Sequence, residues 1–291
     1  MKPSFAIVGC GKVGIALGKY LAQAGYKPAG VASRSLFSAK RAADITGTDH
    51  FDQIPWEITK KAEIIFLTTP DRVISRICAS IAKHGGFIKD AVVLHCSGAL
   101  PSTILSPAKK YGAFIGSMHP LQSFASSKNN GSPFKGIIIS VEGEKRAVTT
   151  AGKIAADLGA ECLHIKTEAK ILYHAAAATA SNYLVTLLYL SLKLIEAAGI
   201  SENNGLRILK PLIDGTLSNI EKVGITKALT GPIDRGDIET IERHLSEIRT
   251  KAPELVSTYK SFGFHTIDIA IAKGTLSELS AQRLRKILEK Q

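Results

Sequence analysis

Short apolar runs alternate with helical patterns through the first half of this 291-residue chain, and that alternation most constrains the fold. Seven runs are rich in β-branched residues, and they lie at residues 5–9, 28–33, 63–69, 91–96, 113–118, 136–141 and 161–165. Apolar periodicity predicts helices between several of them, at residues 12–24, 36–45, 71–83 and 145–158. This order predicts an α/β fold, a mostly parallel sheet with helices on both faces.

The strand signals stop near residue 166. The sequence beyond predicts an all-α region, with helices at residues 168–198, 202–219, 237–249, 252–273 and 276–289. Helix breakers lie between or within these segments, at Gly199, Gly215, Gly224 and the Gly231-Pro232 pair. We therefore predict two domains, an α/β domain over residues 1–166 and an all-helical domain over residues 167–291.

The segment GCGKVG follows the first predicted strand and opens the first predicted helix. Gly9, Gly11 and Gly14 have the GxGxxG spacing, which permits a tight turn, close approach of a pyrophosphate and close packing of helix on strand. With Lys12 and Val13 they form a helix start whose amides would face phosphate groups. The pattern predicts a Rossmann dinucleotide-binding domain; a plain strand-to-helix turn is the alternative.

The end of the second predicted strand indicates which dinucleotide binds. An NAD site places Asp or Glu there, whereas this chain carries Ser33, Arg34 and Ser35. A guanidinium group and hydroxyls suit the 2′-phosphate of NADP, so we predict NADP, with a solvated surface Arg34 as the alternative. The carboxyl ends of later strands supply further cofactor-binding candidates: Thr68, Thr69, Pro70 and Ser97.

His119, in the segment IGSMHPLQSF, is the first candidate for proton transfer. It directly follows a predicted strand end and precedes a proline, and a histidine pKa near working pH suits proton exchange with a carbonyl or hydroxyl group. Gln122 is a candidate substrate-binding residue in the same segment. The alternative is a packed or capping loop histidine.

A polar stripe opens the long apolar helix. Lys170, His174 and Ser181 fall within about 40° of one another around the helix axis, and Asn182 lies at the edge of the stripe. Polar groups on a buried helix need partners or a cleft, so we predict that His174 and Asn182 face the cofactor domain. Lys170 is a further catalytic candidate, or a solvated residue of the first turn.

The segment LTGPIDRGD ends one predicted helix and begins the next, with Asp237 as a candidate N-cap. The planar fork of Arg235 suits a substrate carboxylate or a cofactor phosphate. We predict that Arg235 binds substrate and points at the cofactor domain. The alternative is a helix corner in which it pairs with Asp234 or Asp237.

The net charge of +12 is spread along the chain without an aromatic-interleaved basic block, so we predict an anionic small molecule and no nucleic acid as partner. The cysteines lack metal-ligand spacing, which predicts no metal and a cytoplasmic location. Residues 175–192 carry no charge, yet Ser181 and Asn182 among them favour the core of a soluble domain over a membrane span.

The whole chain resembles a bacterial family described as a Rossmann-like domain followed by domain of unknown function 2520. The resemblance is carried, in order, by GCGKVG, TTPD, HCSGAL, HPLQSF, YHAAAATASNYL, LTGPIDRGD and TIERHL. The family is similar to the 6-phosphogluconate dehydrogenase-like group, whose members join a dinucleotide-binding domain to a helical domain. That similarity implies a homodimer formed through the helical domain.

More distant resemblances imply roles for single residues. The segment around His119 is similar to the Gly-x-His-Pro segment of prephenate dehydrogenases and to the histidine loop of 3-hydroxyacyl-CoA dehydrogenases, which implies a catalytic histidine. Asn182 is similar in placement to an active-site asparagine of the latter group. The chain departs from ketopantoate reductases, whose Lys and Asn lie one helical turn apart, because His174 follows Lys170 and Ala178 precedes Asn182 at that spacing.

These features predict an NADP-dependent oxidoreductase that transfers a hydride between NADPH and a small carboxylate-bearing carbonyl compound in the cleft between the domains. Ketopantoate is the first expected substrate, which the resemblance to the family implies. An imino acid such as pyrroline-5-carboxylate is the second. The rival from another class is a non-catalytic NADP-binding regulator, which the missing Lys-Asn pair favours.

Overall fold

The computed structural model describes residues 2–124 and 131–289. The chain divides into two compact units, Met1–Ser181 and Asn182–Gln291. This division lies within a long helix, whereas the boundary predicted at residue 166 lies where the last strand ends. The helix begins in the first unit because its first residue, Lys170, is buried there.

The first unit is built on an eight-stranded sheet, which confirms the predicted fold class. Its strands are β1 Ser4–Val8, β2 Lys27–Ala32, β3 Phe51–Asp52, β4 Ile64–Leu67, β5 Val92–His95, β6 Phe114–Pro120, β7 Ile138–Gly143 and β8 Glu161–His164. They lie in the order β3-β2-β1-β4-β5-β6-β7-β8. Neighbouring strands are parallel except for the β6–β7 pair. Strands β1–β6 are therefore mutually parallel and their carboxyl ends share one edge, where such sheets bind ligands, whereas β7 and β8 run in the opposite direction.

Two strands differ from the prediction. Strand β3 has only two residues, too few to show a periodic pattern. Strand β6 continues to Pro120, so His119 lies within the strand and not after its end. The reason is the antiparallel pairing with β7, which places His119 opposite Ser140.

Helices cover both faces of this sheet. They are α1 Lys12–Gln23, α2 Leu36–Thr46, α3 Pro55–Thr59, α4 Asp71–Lys83, α5 Ser106–Lys109 and α6 Lys145–Asp157. Successive residues of β1 point to opposite faces, so Phe5 and Ile7 pack in one hydrophobic core while Ala6 and Val8 pack in the other. Burial on both faces explains why the sequence of this strand is apolar without alternation.

The second half of the chain is helical, as predicted. Its helices are α7 Lys170–Ala197, α8 Glu202–Val223, α9 Ile225–Ala228, α10 Ile238–Lys251, α11 Val256–Lys273 and α12 Glu278–Glu289. Helix α8 runs through Gly215, so the prediction of a breaker there is wrong. An interior glycine costs a helix only about 1 kcal/mol, which a helix of this length tolerates. Ile241, Ile267 and Leu284 lie in the hydrophobic core of the second unit.

Helix α7 is exposed along most of its length in the single chain. Among its described residues only Lys170 is buried, while Leu172 and Val185 are 78% and 68% exposed. By length and composition, residues 167–197 could cross a membrane, and the most apolar window of this segment is 0% buried. The prediction that this helix lies in a domain core is therefore wrong for the single chain, because only its last turns, from Leu190, pack against a hydrophobic cluster.

Candidate active site

A glycine loop joins the carboxyl end of β1 to α1. Gly9 has a φ of +110°, and a Cβ atom there would lie 2.7 Å from the carbonyl carbon of Thr68. A Cβ atom on Gly14 would lie 2.1 Å from the carbonyl oxygen of Gly9. The first position therefore needs glycine for its backbone conformation, and the second needs it for close packing of the helix.

Gly11 differs from the other two glycines because the space beside it is open. Among the described residues, no atom lies within 4 Å of the position that a Cβ atom would take. Gly11 is the N-cap of α1 without a capping side chain, and Lys12 and Val13 begin the helix. The loop thus combines uncapped helix amides with free space, the combination that binds a pyrophosphate.

Ser33, Arg34 and Ser35 follow β2, with Arg34 and Ser35 exposed. The hydroxyl oxygen of Ser35 accepts a hydrogen bond from the amide of Ser38 at 3.4 Å and caps α2. The carbonyl oxygen of Arg34 accepts one from the side chain of Gln53 at 2.7 Å. The guanidinium group of Arg34 forms no ion pair with any described residue, so it is available to an anion.

Thr68, Thr69 and Pro70 follow β4 beside the glycine loop. The hydroxyl of Thr68 donates to the carbonyl oxygen of Gly9 at 2.6 Å, which ties this strand end to the loop. The hydroxyl oxygen of Thr69 is buried without a hydrogen-bond partner in the described part of the chain. Pro70 is the N-cap of α4, where no side chain caps the helix. A buried hydroxyl without a partner at this edge fits a polar ligand.

The loop after β5 brings two imidazole rings together. The hydroxyl of Ser97 donates to Asp71 at 2.7 Å and accepts hydrogen bonds from two amides of its own loop, which fixes the turn. A Cβ atom on Gly98 would lie 2.8 Å from Nε2 of His119 and 2.5 Å from Cδ2 of His174. Glycine at this position therefore allows both histidines to approach the loop.

His119 lies against residues from the start of α7. Its ring centroid lies 6.1 Å from that of His174 and 5.9 Å from that of Tyr173. Nδ1 of His119 and the hydroxyl oxygen of Tyr173 are both buried, and neither has a hydrogen-bond partner among the described residues. Buried polar atoms without partners usually bind water or a ligand, so this cluster is a candidate substrate site.

A row of buried polar residues crosses the sheet next to His119. His95, Ser117 and Glu142 are register partners on β5, β6 and β7, and each is at most 3% exposed. Register partners on neighbouring strands share a face of the sheet. His119 shares it too, since it follows Ser117 by two residues along β6.

The ammonium group of Lys170 binds this row. Its Nζ donates to the carbonyl oxygen of Ser97 at 2.9 Å and to the hydroxyl of Ser117 at 2.5 Å, and it lies 3.8 Å from Oε1 of Glu142. Burial lowers the pKa of Lys170, and the carboxylate of Glu142 opposes that effect. Lys170 is 1% exposed, so the alternative of a solvated first-turn lysine is wrong.

The imidazole of His119 is neutral at neutral pH. Burial lowers the pKa of His119 to about 4, with further lowering by the charges of Lys170 and His174 and a smaller opposing effect of Asp71. This differs from the expected pKa near working pH, because the sequence does not show how deeply the ring is buried. A neutral imidazole offers one donor and one acceptor nitrogen.

Two other predicted residues, Gln122 and Asn182, are exposed. Gln122 is exposed, and its side-chain oxygen accepts a hydrogen bond from the amide of Ser123 at 2.9 Å. Asn182 is exposed and belongs to the second unit, whereas His174 and Ser181 belong to the first. The polar stripe is therefore divided between the units, and the roles predicted for Gln122 and Asn182 stay predictions.

In the segment of residues 229–237, Asp237 caps α10 by accepting from the amide of Thr240 at 3.1 Å, as predicted. Asp234 instead forms an ion pair with Lys273 at 2.9 Å. Arg235 is exposed, and neither carboxylate forms an ion pair with it. Its guanidinium group has no ion-pair partner in the described part of the chain, and the predicted substrate contact stays a prediction.

Several residues of the candidate site do not appear in the sequence-based prediction. They are His95, Gly98, Ser102, Ser117, Glu142, Thr167 and Tyr173. One signal was present, since Ser117 and Glu142 are polar residues inside apolar strand segments, and buried polar residues require partners. Pairing them needs the register of β6 and β7, which no local pattern supplies.

Two family descriptions match the chain. A Rossmann-like domain matches residues 2–120, and a domain of unknown function (DUF2520) matches residues 137–266. The chain therefore matches a Rossmann-like domain followed by a DUF2520 domain. The resemblance seen in the segments from GCGKVG to TIERHL is thereby confirmed. The DUF2520 part begins within the sheet and includes Glu142 and Lys170.

Solved structures share this fold over nearly the whole chain. The candidate NADP oxidoreductase BF3122 from Bacteroides fragilis is 20% identical, with a TM-score of 0.71 and 98% of each chain covered. Protein TM1727 from Thermotoga maritima is 29% identical, with a TM-score of 0.71, 92% of this chain and 99% of that chain covered.

A third structure contains NADPH. A reductive aminase from Aspergillus terreus in complex with NADPH and ethyl-5-oxohexanoate is 14% identical, with a TM-score of 0.64, 99% of this chain and 93% of that chain covered. A comparison with curated proteins gives no match. The chain thus shares its fold with these three proteins, one of which is a reductive aminase solved with NADPH.

Proposed function

We propose that this DUF2520 protein is an NADP-dependent oxidoreductase acting on a small carboxylate-bearing carbonyl compound. The observation that carries the proposal is a phosphate-binding loop and a pair of adjacent histidines, His119 and His174, near the carboxyl edge of one sheet. That edge is where open α/β sheets bind ligands. The shared fold with NADPH-binding reductases supports the same conclusion.

The residues present fit NADP. The open space at Gly11 and the uncapped start of α1 suit the pyrophosphate. The guanidinium group of Arg34, which forms no ion pair with a described residue, suits the 2′-phosphate. The unpartnered hydroxyl of Thr69 supplies a polar contact beside the same loop.

When bound, NADPH supplies the hydride for reduction of the substrate carbon. His119 exchanges the proton at the oxygen or nitrogen atom attached to that carbon. Its neutral ring accepts this proton when an alcohol is oxidised. Reduction needs the protonated ring, so its rate should rise as the pH falls toward the lowered pKa of His119.

The substrate class is proposed from charge. The chain carries +12 net charge, and Arg235 offers a guanidinium group without an ion-pair partner among the described residues, so an anionic substrate is favoured. Ketopantoate is the first proposed substrate. An imino acid such as pyrroline-5-carboxylate is the second, which the shared fold with a reductive aminase favours.

Loss of NADPH absorbance in the presence of single compounds tests this function. The panel contains 2-oxo acids, including ketopantoate, and cyclic imino acids, including pyrroline-5-carboxylate. Turnover of one class identifies the substrate class. Tight NADPH binding without turnover of any compound would contradict the proposal and favour a non-catalytic regulator.

Substitution of Arg34 by alanine is expected to abolish preference for NADPH over NADH. In the unsubstituted protein, NADPH at about 100 times its Kd should stabilise the fold by about 2.7 kcal/mol, and NADH at the same concentration by much less. The Arg34→Ala variant should lose this difference, because the 2′-phosphate loses its partner. Thermal unfolding with each cofactor measures the effect.

Arg41→Ala, another exposed arginine, on α2, is the control and should keep the preference. Equal stabilisation of the unsubstituted protein by both cofactors would contradict the assignment of NADP.

We also propose a homodimer in which a second copy covers the exposed face of α7. The second unit carries an apolar groove of about 380 Å³ lined by residues such as Leu187, Pro232, Tyr259 and Phe262. Large apolar patches on soluble proteins usually form interfaces. In a symmetric dimer, the exposed apolar face of α7 in each copy can pack against the apolar groove of the other copy.

Substitution of Val185 by aspartate is expected to convert this dimer to a monomer. Val185 is 68% exposed in the single chain, and a charge there would be buried without a partner at the interface. Sedimentation velocity in detergent-free buffer measures the mass. Phe37→Asp, at a side chain 79% exposed on α2, is the control and should stay dimeric.

An unsubstituted protein that is monomeric would contradict the dimer. A protein that stays in solution only with detergent would instead indicate that α7 binds a membrane.

A cytoplasmic location is proposed from the thiols. Cys10, Cys78, Cys96 and Cys162 are all free. Free thiols are typical of proteins in reducing compartments.

A further inference from the structure

The carboxylate of Glu142 lies in a buried hydrogen-bond network next to the candidate site. It accepts hydrogen bonds from the amide of Ser102 at 2.7 Å, from the hydroxyl of Ser102 at 2.8 Å and from the hydroxyl of Thr167 at 2.8 Å. Ser102 follows the loop after β5, and Thr167 precedes α7. These donors fix the carboxylate, which faces the ammonium group of Lys170.

The ammonium group has two hydrogen-bond partners and one ion-pair partner among the described residues. Two of its three protons are donated to Ser97 and Ser117, and the carboxylate of Glu142 lies 3.8 Å away. Both charged side chains are 1% exposed. A buried ion pair adds little net stability, since the loss of hydration offsets the attraction. The presence of two buried charged side chains here is therefore better explained by their effect on the neighbouring histidines than by stability.

We propose that Glu142 is a positioning residue, which keeps the Lys170 side chain protonated and in place beside the two histidines of the candidate active site. Glu142 acts through Lys170. The inference rests on the proposed function, because that function gives His119 its role in proton exchange.

Several charged or titratable groups face His119. Lys170 and His174 come from α7, Asp71 from α4 and His95 from β5. After burial itself, the charge of Lys170 is the largest cause of the lowered pKa of His119. Loss of that charge should therefore raise the pKa of His119.

Removal of Glu142 should remove the charge of Lys170 as well. Burial lowers the pKa of Lys170, and Glu142 is the largest of the charges that oppose this effect, ahead of Cys96 and Asp71, so removal of Glu142 favours the neutral amine. Glu142→Gln should then have the same effect as Lys170→Met, and each should raise the pKa of His119 by about one unit. Glu142→Asp keeps the negative charge and should leave the pKa of His119 low.

An NMR titration of isotope-labelled histidines in the ligand-free full chain measures this pKa. The His119→Gln variant identifies the His119 resonance. The double variant Glu142→Gln/Lys170→Met should give the same shift as either single variant, since both act through one charge. Glu144→Gln, two residues along the chain, is the control, because that carboxylate binds Lys109 and the amide of Ile115. It should leave the His119 titration unchanged.

A His119 pKa that is unchanged or lower in Glu142→Gln would overturn the inference, as would a double variant whose shift equals the sum of two separate shifts. If the Glu142→Gln protein does not fold, the double variant, which buries no lone charge, and Glu142→Asp keep the comparison possible. The titration needs no cofactor or substrate. Failure of the proposed function would appear as absence of turnover and would leave the titration result intact.

Discussion

Substitution of His119 by alanine is expected to lower kcat/KM for NADPH-dependent reduction by about 100-fold to 10,000-fold, the usual contribution of general acid-base catalysis. This loss corresponds to about 3–5 kcal/mol of transition-state stabilisation. The reason is geometric, since Nδ1 of His119 is buried without a hydrogen-bond partner among the described residues and the ring lies against the loop at Gly98 and next to His174. Initial rates on the first compound that the panel identifies give the measurement.

Two controls separate chemistry from folding in this experiment. The His119→Ala variant should bind NADPH with unchanged affinity, because the glycine loop that would hold the pyrophosphate follows β1, whereas His119 lies on β6. His84→Ala, an exposed histidine that stacks on Trp56, should keep full activity. A rate for His119→Ala within about tenfold of the unsubstituted protein would remove His119 from the proton-transfer role.

Substitution of Gly11 by valine is expected to weaken NADPH binding by at least about 100-fold while the fold persists, because the side chain would occupy the space where backbone and pyrophosphate meet. The backbone permits it, since Gly11 has a φ of −81° and no described atom within 4 Å of a Cβ position. Titration calorimetry measures the affinity, and thermal unfolding without ligand measures the fold.

Gly14→Val provides the contrast. Its Cβ atom would lie 2.1 Å from the carbonyl oxygen of Gly9, so this variant should unfold at a clearly lower temperature without any ligand. Gly215→Val, with open space around it in α8, is the matched control for both and should change stability by less than about 1 kcal/mol. Unweakened NADPH binding by Gly11→Val would show that the pyrophosphate does not lie at this loop.

Much of the fold could be predicted because its signals are local. Seven of the eight strands appear as short apolar runs, and the exception, Phe51–Asp52, is too short to show a period. The glycine loop was predictable for the same reason, since the spacing of Gly9, Gly11 and Gly14 lies within one short segment between a strand and a helix. The prediction of NADP likewise rests on three consecutive residues after β2.

The candidate site was only partly predictable. His119 and Lys170 were expected as catalytic residues from their positions, but neither the low pKa of His119 nor the burial of Lys170 follows from them. The buried site of Lys170 is formed by Ser117 and Glu142, which lie on different strands and meet only through the register of β6 and β7. The charge of Lys170 in turn contributes to the low pKa of His119. A shift of one residue in that register would turn these side chains to the opposite face.

The exposure of α7 could not be predicted from the sequence either. An uncharged apolar helix is compatible with a domain core, a subunit interface or a membrane, and composition does not separate them. Sequence by itself determined the element order, the phosphate loop and the residue types at the strand ends, because these depend on neighbours along the chain. Only the tertiary structure decided the burial of Lys170 with Glu142, the neutral state of His119 and the exposure of α7. These depend on which distant segments exclude water from each other.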